Sequence, residues 1–186
     1  MGLAILTIFV VHLNRSNNLK FIAMSTNTKE RSYSKLGFNK DEASELVESL
    51  NLLLCNYSVL YQKIRNFHWN VTGGDFFDVH EKLEEEYLAG AENIDDIAER
   101  VRILGFFPIS TLKEYLAKAE IKEVPKVLNS DEMMKEVVAD YETLLSFMVD
   151  VADLAVEYGD LGTETLMRNM IIRTEEKHWM FHAFVS

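Results

Sequence analysis

Residues 46–64 read LVESLNLLLCNYSVLYQKI. Leu46, Leu50, Leu53, Leu54, Tyr57, Leu60, Tyr61 and Ile64 recur at spacings of three and four, the period of a helix with one apolar face. The stretch predicts an amphipathic helix that ends near Asn66. Upstream, Asn39-Lys40-Asp41-Glu42 has the form of a capping box, an N-cap Asn with Glu three residues later. Downstream, Gly73-Gly74 signals a turn.

The same period continues along the chain. Asp75 is placed to cap a second helix, with Phe76, Val79, Leu83, Tyr87, Ala91, Ile94, Ile97, Ala98 and Val101 on its stripe, ended by Gly105 and Pro108. Thr111 and Glu114 suggest a capping box for a short helix over residues 111–117. Ser130 is placed to cap a third long helix through Met133, Val137, Tyr141, Leu144, Met148, Val151 and Leu154. After the break at 159–162, a last helix carries Leu166, Met170, Ile171, Trp179 and Phe181. These are four long helices of roughly 24 to 28 residues with a short one between the second and third. The expected fold is all-α, a four-helix bundle over residues 39–186.

Composition agrees. The chain has 186 residues, 48% of them hydrophobic, which suits one buried core. Thirty acids against 19 bases give a net charge of −11, which disfavours nucleic-acid binding through a broad basic face and favours cations. Cys55, the one cysteine, excludes an intrachain disulfide and a cysteine-based zinc site, and on the apolar stripe it reads as a core residue.

The first residues differ from the rest. Residues 1–23 hold Arg15 and Lys20 and no acid. The apolar run Leu3–Val11 is shorter than the about 20 residues that span a bilayer, and no base precedes it as in a signal peptide. Met24 then opens a polar stretch. Residues 1–38 are expected to be a disordered extension, with 1–23 a misassigned start or added segment and an export signal the less favoured alternative, and the protein is expected in the cytoplasm.

Potential metal ligands gather between His68 and Glu99. His80 and Glu84 are four apart on the second helix, as are Asp95 and Glu99, so each pair shares a face. Eleven residues separate Glu84 from Asp95, about three turns plus 20°, so both pairs face the same way. A rise of about 1.5 Å per residue sets them about 16 Å apart, too far to hold one ion. A second copy running antiparallel would bring its Asp95 and Glu99 to the first copy's His68, His80 and Glu84, giving a homodimer with two equivalent sites. Two imidazoles and three carboxylates suit iron, and also manganese or zinc.

Other readings stand beside this one. Acids at i, i+4 commonly make a solvated face, and Glu85 and Glu86 read as surface residues. Asp95 and Glu99 are also placed to pair with Arg102 or Arg65. A di-iron centre inside one bundle wants two Glu-x-x-His motifs. Only one occurs, ending at His178, and His178 with His182 reads as an exposed or interface pair.

The window Asn66-Phe67-His68-Trp69-Asn70-Val71, Gly74-Asp75-Phe76-Phe77, His80-Glu81-Lys82-Leu83-Glu84 and Asp95-Asp96-Ile97-Ala98-Glu99-Arg100 resembles the Dps family of ferritin-like mini-ferritins. So does the closing Glu176-Lys177-His178-Trp179-Met180-Phe181. The resemblance implies a hollow dodecamer that oxidises Fe(II), preferably with hydrogen peroxide, and stores ferric mineral. It implies ferroxidase sites at two-fold interfaces, with His68, His80 and Glu84 from one subunit and Asp95 and Glu99 from its neighbour. Glu84 stands where the family often has Asp. Trp69 corresponds to a tryptophan beside the site, where it packs on the ligands or on the interface. Asp150, Asp153, Glu157 and Asp160 are candidates for lining ion-entry pores. The family's name refers to DNA, which some members bind with lysine-rich tails. Lys29, Arg31, Lys35 and Lys40, partly offset by Glu30, predict weak or absent binding; DNA compaction with iron oxidation secondary is the alternative function.

Overall fold

The computed structural model describes residues 40–186, so the readings of residues 1–38 and of the Asn39 cap fall outside the described residues. Five helices follow: α1 (Lys40–Asn70), α2 (Phe76–Ile103), α3 (Leu112–Lys118), α4 (Ser130–Tyr158) and α5 (Leu161–Phe184). No strand occurs among the described residues. Helix α1 packs on α2 and α4, α4 packs on α5, and the short α3 lies against α1. The bundle with its intervening short helix is the architecture expected.

The stripes bury as their period requires, except that Ala91, read as part of the α2 stripe, is exposed. Leu46, Leu50, Leu53, Leu54 and Leu60 of α1 meet Val79, Leu83, Ile97 and Val101 of α2 and Val137, Leu144, Met148 and Val151 of α4 in one core. Cys55 is fully buried there, and burial pushes its thiol up to about 11. Trp179 does not join the core; it is 68% exposed. On α5 the core positions are Met167, Met170, Thr174 and Phe181, spaced three, four and seven apart, and Trp179 falls off that line.

Helix ends differ from expectation in three places. Helix α1 continues to Asn70 rather than stopping near Asn66, because nothing breaks it before the Gly73 turn, where φ is +124°. Asn70 Nδ2 donates back to the Asn66 carbonyl at 2.8 Å and closes the last turn. The cap of α4 is Asn129, not Ser130: its side chain accepts from Glu132 N at 2.9 Å while the Glu132 carboxylate accepts from Asn129 N at 3.1 Å. Asp75 precedes α2 but makes no side-chain cap bond. The Thr111 cap of α3 is present as read, accepting from Glu114 N. At 31 and 29 residues, α1 and α4 are longer than expected.

Three asparagines of α1 fix the long connection across the bundle. Asn51 Oδ1 accepts from Ile109 N, Asn56 Oδ1 accepts from Glu120 N and Ile121 N, and Asn66 Nδ2 donates to the Val124 carbonyl. Asn51 and Asn56 are buried, and these bonds satisfy the loop's backbone where no helix does.

Candidate metal centre

The extension of α1 to Asn70 places His68 in the helix's last turn, not beyond its end. There it faces His80, in the second turn of α2. The two imidazoles stack, with centroids 3.8 Å apart and planes 23° from parallel. Each Nδ1 lies 2.9 Å from the other residue's backbone carbonyl oxygen. A carbonyl only accepts, so both Nδ1 atoms carry the proton. That tautomer leaves both Nε2 lone pairs free for a ligand.

Glu84, one turn after His80, completes the group. One donor atom from each of His68, His80 and Glu84 lies within 4.8 Å of the others, close enough to share an ion. The three are graded in exposure: His68 is buried, His80 half-buried and Glu84 exposed. Aromatic rings hold them. Phe76 stacks on His80 at 4.9 Å, Tyr87 meets His68 edge-on at 5.2 Å, and Tyr87 Oη donates to Glu84 Oε1 at 3.2 Å. Phe76 and Tyr87 read from sequence as stripe residues only. The spacing of Tyr87, three beyond Glu84, is the signal that carried more.

Asp95 and Glu99 lie three turns along α2, both exposed and outside the group. Neither takes Arg65 or Arg102 as a salt-bridge partner among the described residues. Arg102 donates to the Phe106 carbonyl and lies over the Phe107 ring, and Arg65 donates to Gln62. Trp69 is 58% exposed, and its ring carries the Arg65 guanidinium at 4.7 Å. Within one protomer it stacks on neither histidine.

Two acids are not where the sequence put them. Glu86 is buried, not on the surface: its Oε2 accepts from Tyr141 Oη at 2.5 Å and from Lys177 Nζ at 2.6 Å. Burial, and then the Glu86 carboxylate, raise the Tyr141 phenol well above its ordinary range, so it remains a donor. This knot borders a cavity of about 110 Å³ lined also by Tyr57, Tyr61 and Asn93. With Lys177 in it, that cavity does not suit a cation. Asp160, read as a pore acid, is 2% exposed and bonded to Arg100 and Thr163, so it lines no ion path. Asp150, Asp153 and Glu157 are exposed on α4. Glu175 is exposed and His178 turns to Glu142, so the single Glu-x-x-His motif builds nothing inside the bundle.

The fold and this geometry define a class. A family model described as a ferritin-like domain matches residues 47–186. The structure resembles that of the Dps protein of Vibrio cholerae O1, a member of a broad superfamily of ferritin-like diiron-carboxylate proteins. That match has a TM-score of 0.80 at 36% identity and covers 82% of this chain and 96% of the other. The chain is 40% identical over 137 residues to the DNA protection during starvation protein of Brevibacillus brevis, covering 74% of this chain and 92% of that one. It is 36% identical over 142 residues to DNA protection during starvation protein 2 of Bacillus anthracis, covering 76% and 97%. Within the ferritin-like class, the chain belongs to the Dps family.

Proposed function

We propose that the protein oxidises Fe(II) with hydrogen peroxide and holds the ferric product inside a hollow shell of twelve copies. Iron is the substrate and cargo. The convergence of His68, His80 and Glu84, with both histidines locked in the tautomer that frees Nε2, carries this reading. Asp95 and Glu99, exposed on the same face of α2, complete the site from a two-fold related copy. Carboxylate ligands stabilise ferric over ferrous iron, which favours oxidation there. The balance is two Fe(II), one hydrogen peroxide and two protons to two Fe(III) and two waters. Each turnover removes both reagents of hydroxyl-radical formation, and so protects DNA without touching it.

No described helix is long and apolar enough to cross a membrane. The net charge of −11 opposes DNA, so contact with it is weak or absent. A gel shift showing tight binding at about 150 mM salt would restore the DNA-compacting alternative.

The test adds Fe(II) and peroxide to the purified protein and follows ferric absorbance. The His68→Ala/His80→Ala variant is expected to lose most of the initial rate while light scattering still shows the assembly. A variant that oxidises and mineralises iron at the wild-type rate refutes the site. A wild-type monomer refutes the shared interface.

A further inference from the structure

A second group of nitrogen and oxygen donors stands on the opposite pair of helices. His178 and His182 are one turn apart on α5, with ring centroids 6.0 Å apart. From α4, Glu142 Oε1 comes to 3.2 Å from His178 Nε2. We propose that His178, His182 and Glu142 bind a divalent transition-metal ion such as Zn²⁺ or Cu²⁺, separately from the His68 centre.

Donor spacing supports this. Two donors about 2.1 Å from a tetrahedral ion lie about 3.4 Å from each other. The 3.2 Å between His178 Nε2 and Glu142 Oε1 is close to that edge, so an ion replaces the proton they share. Two imidazoles on one such ion have centres about 5 Å apart. As placed, only the His178–Glu142 pair is in contact and the three donors do not all lie within 4.8 Å of one another, so His182, exposed one turn on, swings toward His178 to close the 6.0 Å between the rings.

The tautomer of His182 is set as it is in the first centre. The Ser186 hydroxyl donates to the His182 carbonyl at 2.7 Å, which uses its one proton. The 3.1 Å contact between Ser186 Oγ and His182 Nδ1 is therefore donated by Nδ1–H. His182 Nε2 keeps its lone pair. An outer partner that orients a histidine in this way is the usual companion of a metal ligand. Three protein donors leave one position for water. Two imidazoles and one carboxylate without thiolate select borderline ions of the zinc and copper kind over magnesium or calcium.

The experiment uses the full chain and two metals. Zn²⁺ is titrated into the metal-free assembly by calorimetry, in wild type, in His68→Ala/His80→Ala and in His178→Ala/His182→Ala. One equivalent per subunit is expected to survive in the first variant and to disappear from the second, with Fe(II) oxidation by the second unchanged. Glu142→Gln, which leaves both histidines, is expected to weaken that equivalent at least tenfold. Cu²⁺ bound to His68→Ala/His80→Ala is expected to show coupling to two nitrogens by electron paramagnetic resonance. Equal zinc stoichiometry in wild type and a folded His178→Ala/His182→Ala, or a copper spectrum indifferent to Glu142→Gln and without two-nitrogen coupling, overturns the proposal.

Discussion

Replacing Asp160 by alanine separates a pore acid from a structural one. Oδ1 of Asp160 accepts from Arg100 Nη2 at 2.5 Å and from the backbone N–H groups of Gly162 and Thr163 at 3.1 Å each. Oδ2 accepts from Thr163 Oγ1 at 2.5 Å, and Arg100 Nε donates to that hydroxyl at 2.8 Å. The variant therefore loses the N-cap of α5, about 1 kcal/mol. It also strands Arg100, whose side chain is 14% exposed; breaking a buried pair from one side costs about 3–5 kcal/mol. Arg100 keeps Thr163 and some water, so the low end applies and the sum is about 4 kcal/mol. That is a large share of the about 5–15 kcal/mol of a typical domain.

The assay is urea unfolding followed by circular dichroism at fixed subunit concentration, because assembly makes stability concentration-dependent. Arg100→Ala and the double variant complete a cycle, with an expected coupling of about 2 kcal/mol or more. Burial pushes the Asp160 carboxyl up, but the Arg100 and Thr163 hydrogen bonds outweigh it and leave it lowered below 3.8. A lowered carboxyl stabilises the fold above its unfolded value and loses that contribution as pH falls through the folded one. Wild type should therefore lose more stability than Asp160→Ala below about pH 4. An Asp160→Ala protein as stable as wild type, with zero coupling and slowed iron uptake, refutes the reasoning and returns Asp160 to a pore.

Two further outcomes follow from buried groups. Burial raises Asp140 to about 6, against the opposing Lys63 ion pair at 2.6 Å. A raised carboxyl stabilises fully below its unfolded value and loses that contribution as pH rises through the folded one, so the melting temperature of wild type should fall between pH 4 and 6 relative to its own Asp140→Asn variant. By the shift, the difference is up to about 3 kcal/mol, and parallel pH profiles contradict it. The Cys55 thiol, fully buried and raised to about 11, should resist a disulfide reagent at pH 8 in the native protein and react at once in urea; rapid native labelling contradicts its place in the core.

What the sequence made legible was what has a local period. Leu46 to Ile64 named the core of α1 because a helix repeats every 3.6 residues. His80 and Glu84 were visible as an i, i+4 pair, and His68 because it lies so near the turn into α2. Glu86 was misread because three glutamates in a row look solvated. Yet Val79, Leu83, Glu86, Gly90, Ile97 and Val101 form the inward line of α2, so one of the three had to turn in. Its partners, Tyr141 and Lys177, lie 55 and 91 residues away, and no local signal announces them. Asp160 was read as a pore acid for the same reason: its ion-pair partner Arg100, 60 residues away, is found only in the fold, and so is its cap role on α5.

These distant polar pairs have a common consequence for α2. Near its start, His80 exchanges hydrogen bonds with His68 of α1. At its middle, Glu86 is held by Tyr141 of α4 and Lys177 of α5. Toward its end, Arg100 is held at the start of α5 by Asp160 and Thr163. Apolar residues in these places would stabilise at least as well, since a buried ion pair repays little beyond its own desolvation. What apolar packing does not supply is register. A slip of α2 by one residue moves it about 1.5 Å and turns it about 100°, carrying His80 and Glu84 away from His68. It would carry Asp95 and Glu99 away from a neighbouring copy by the same amount. A site built from both ends of one helix in two subunits doubles any such error, while ligand geometry tolerates about 0.5 Å. The three polar anchors along α2 are therefore the part of the fold that the proposed shared centre most requires.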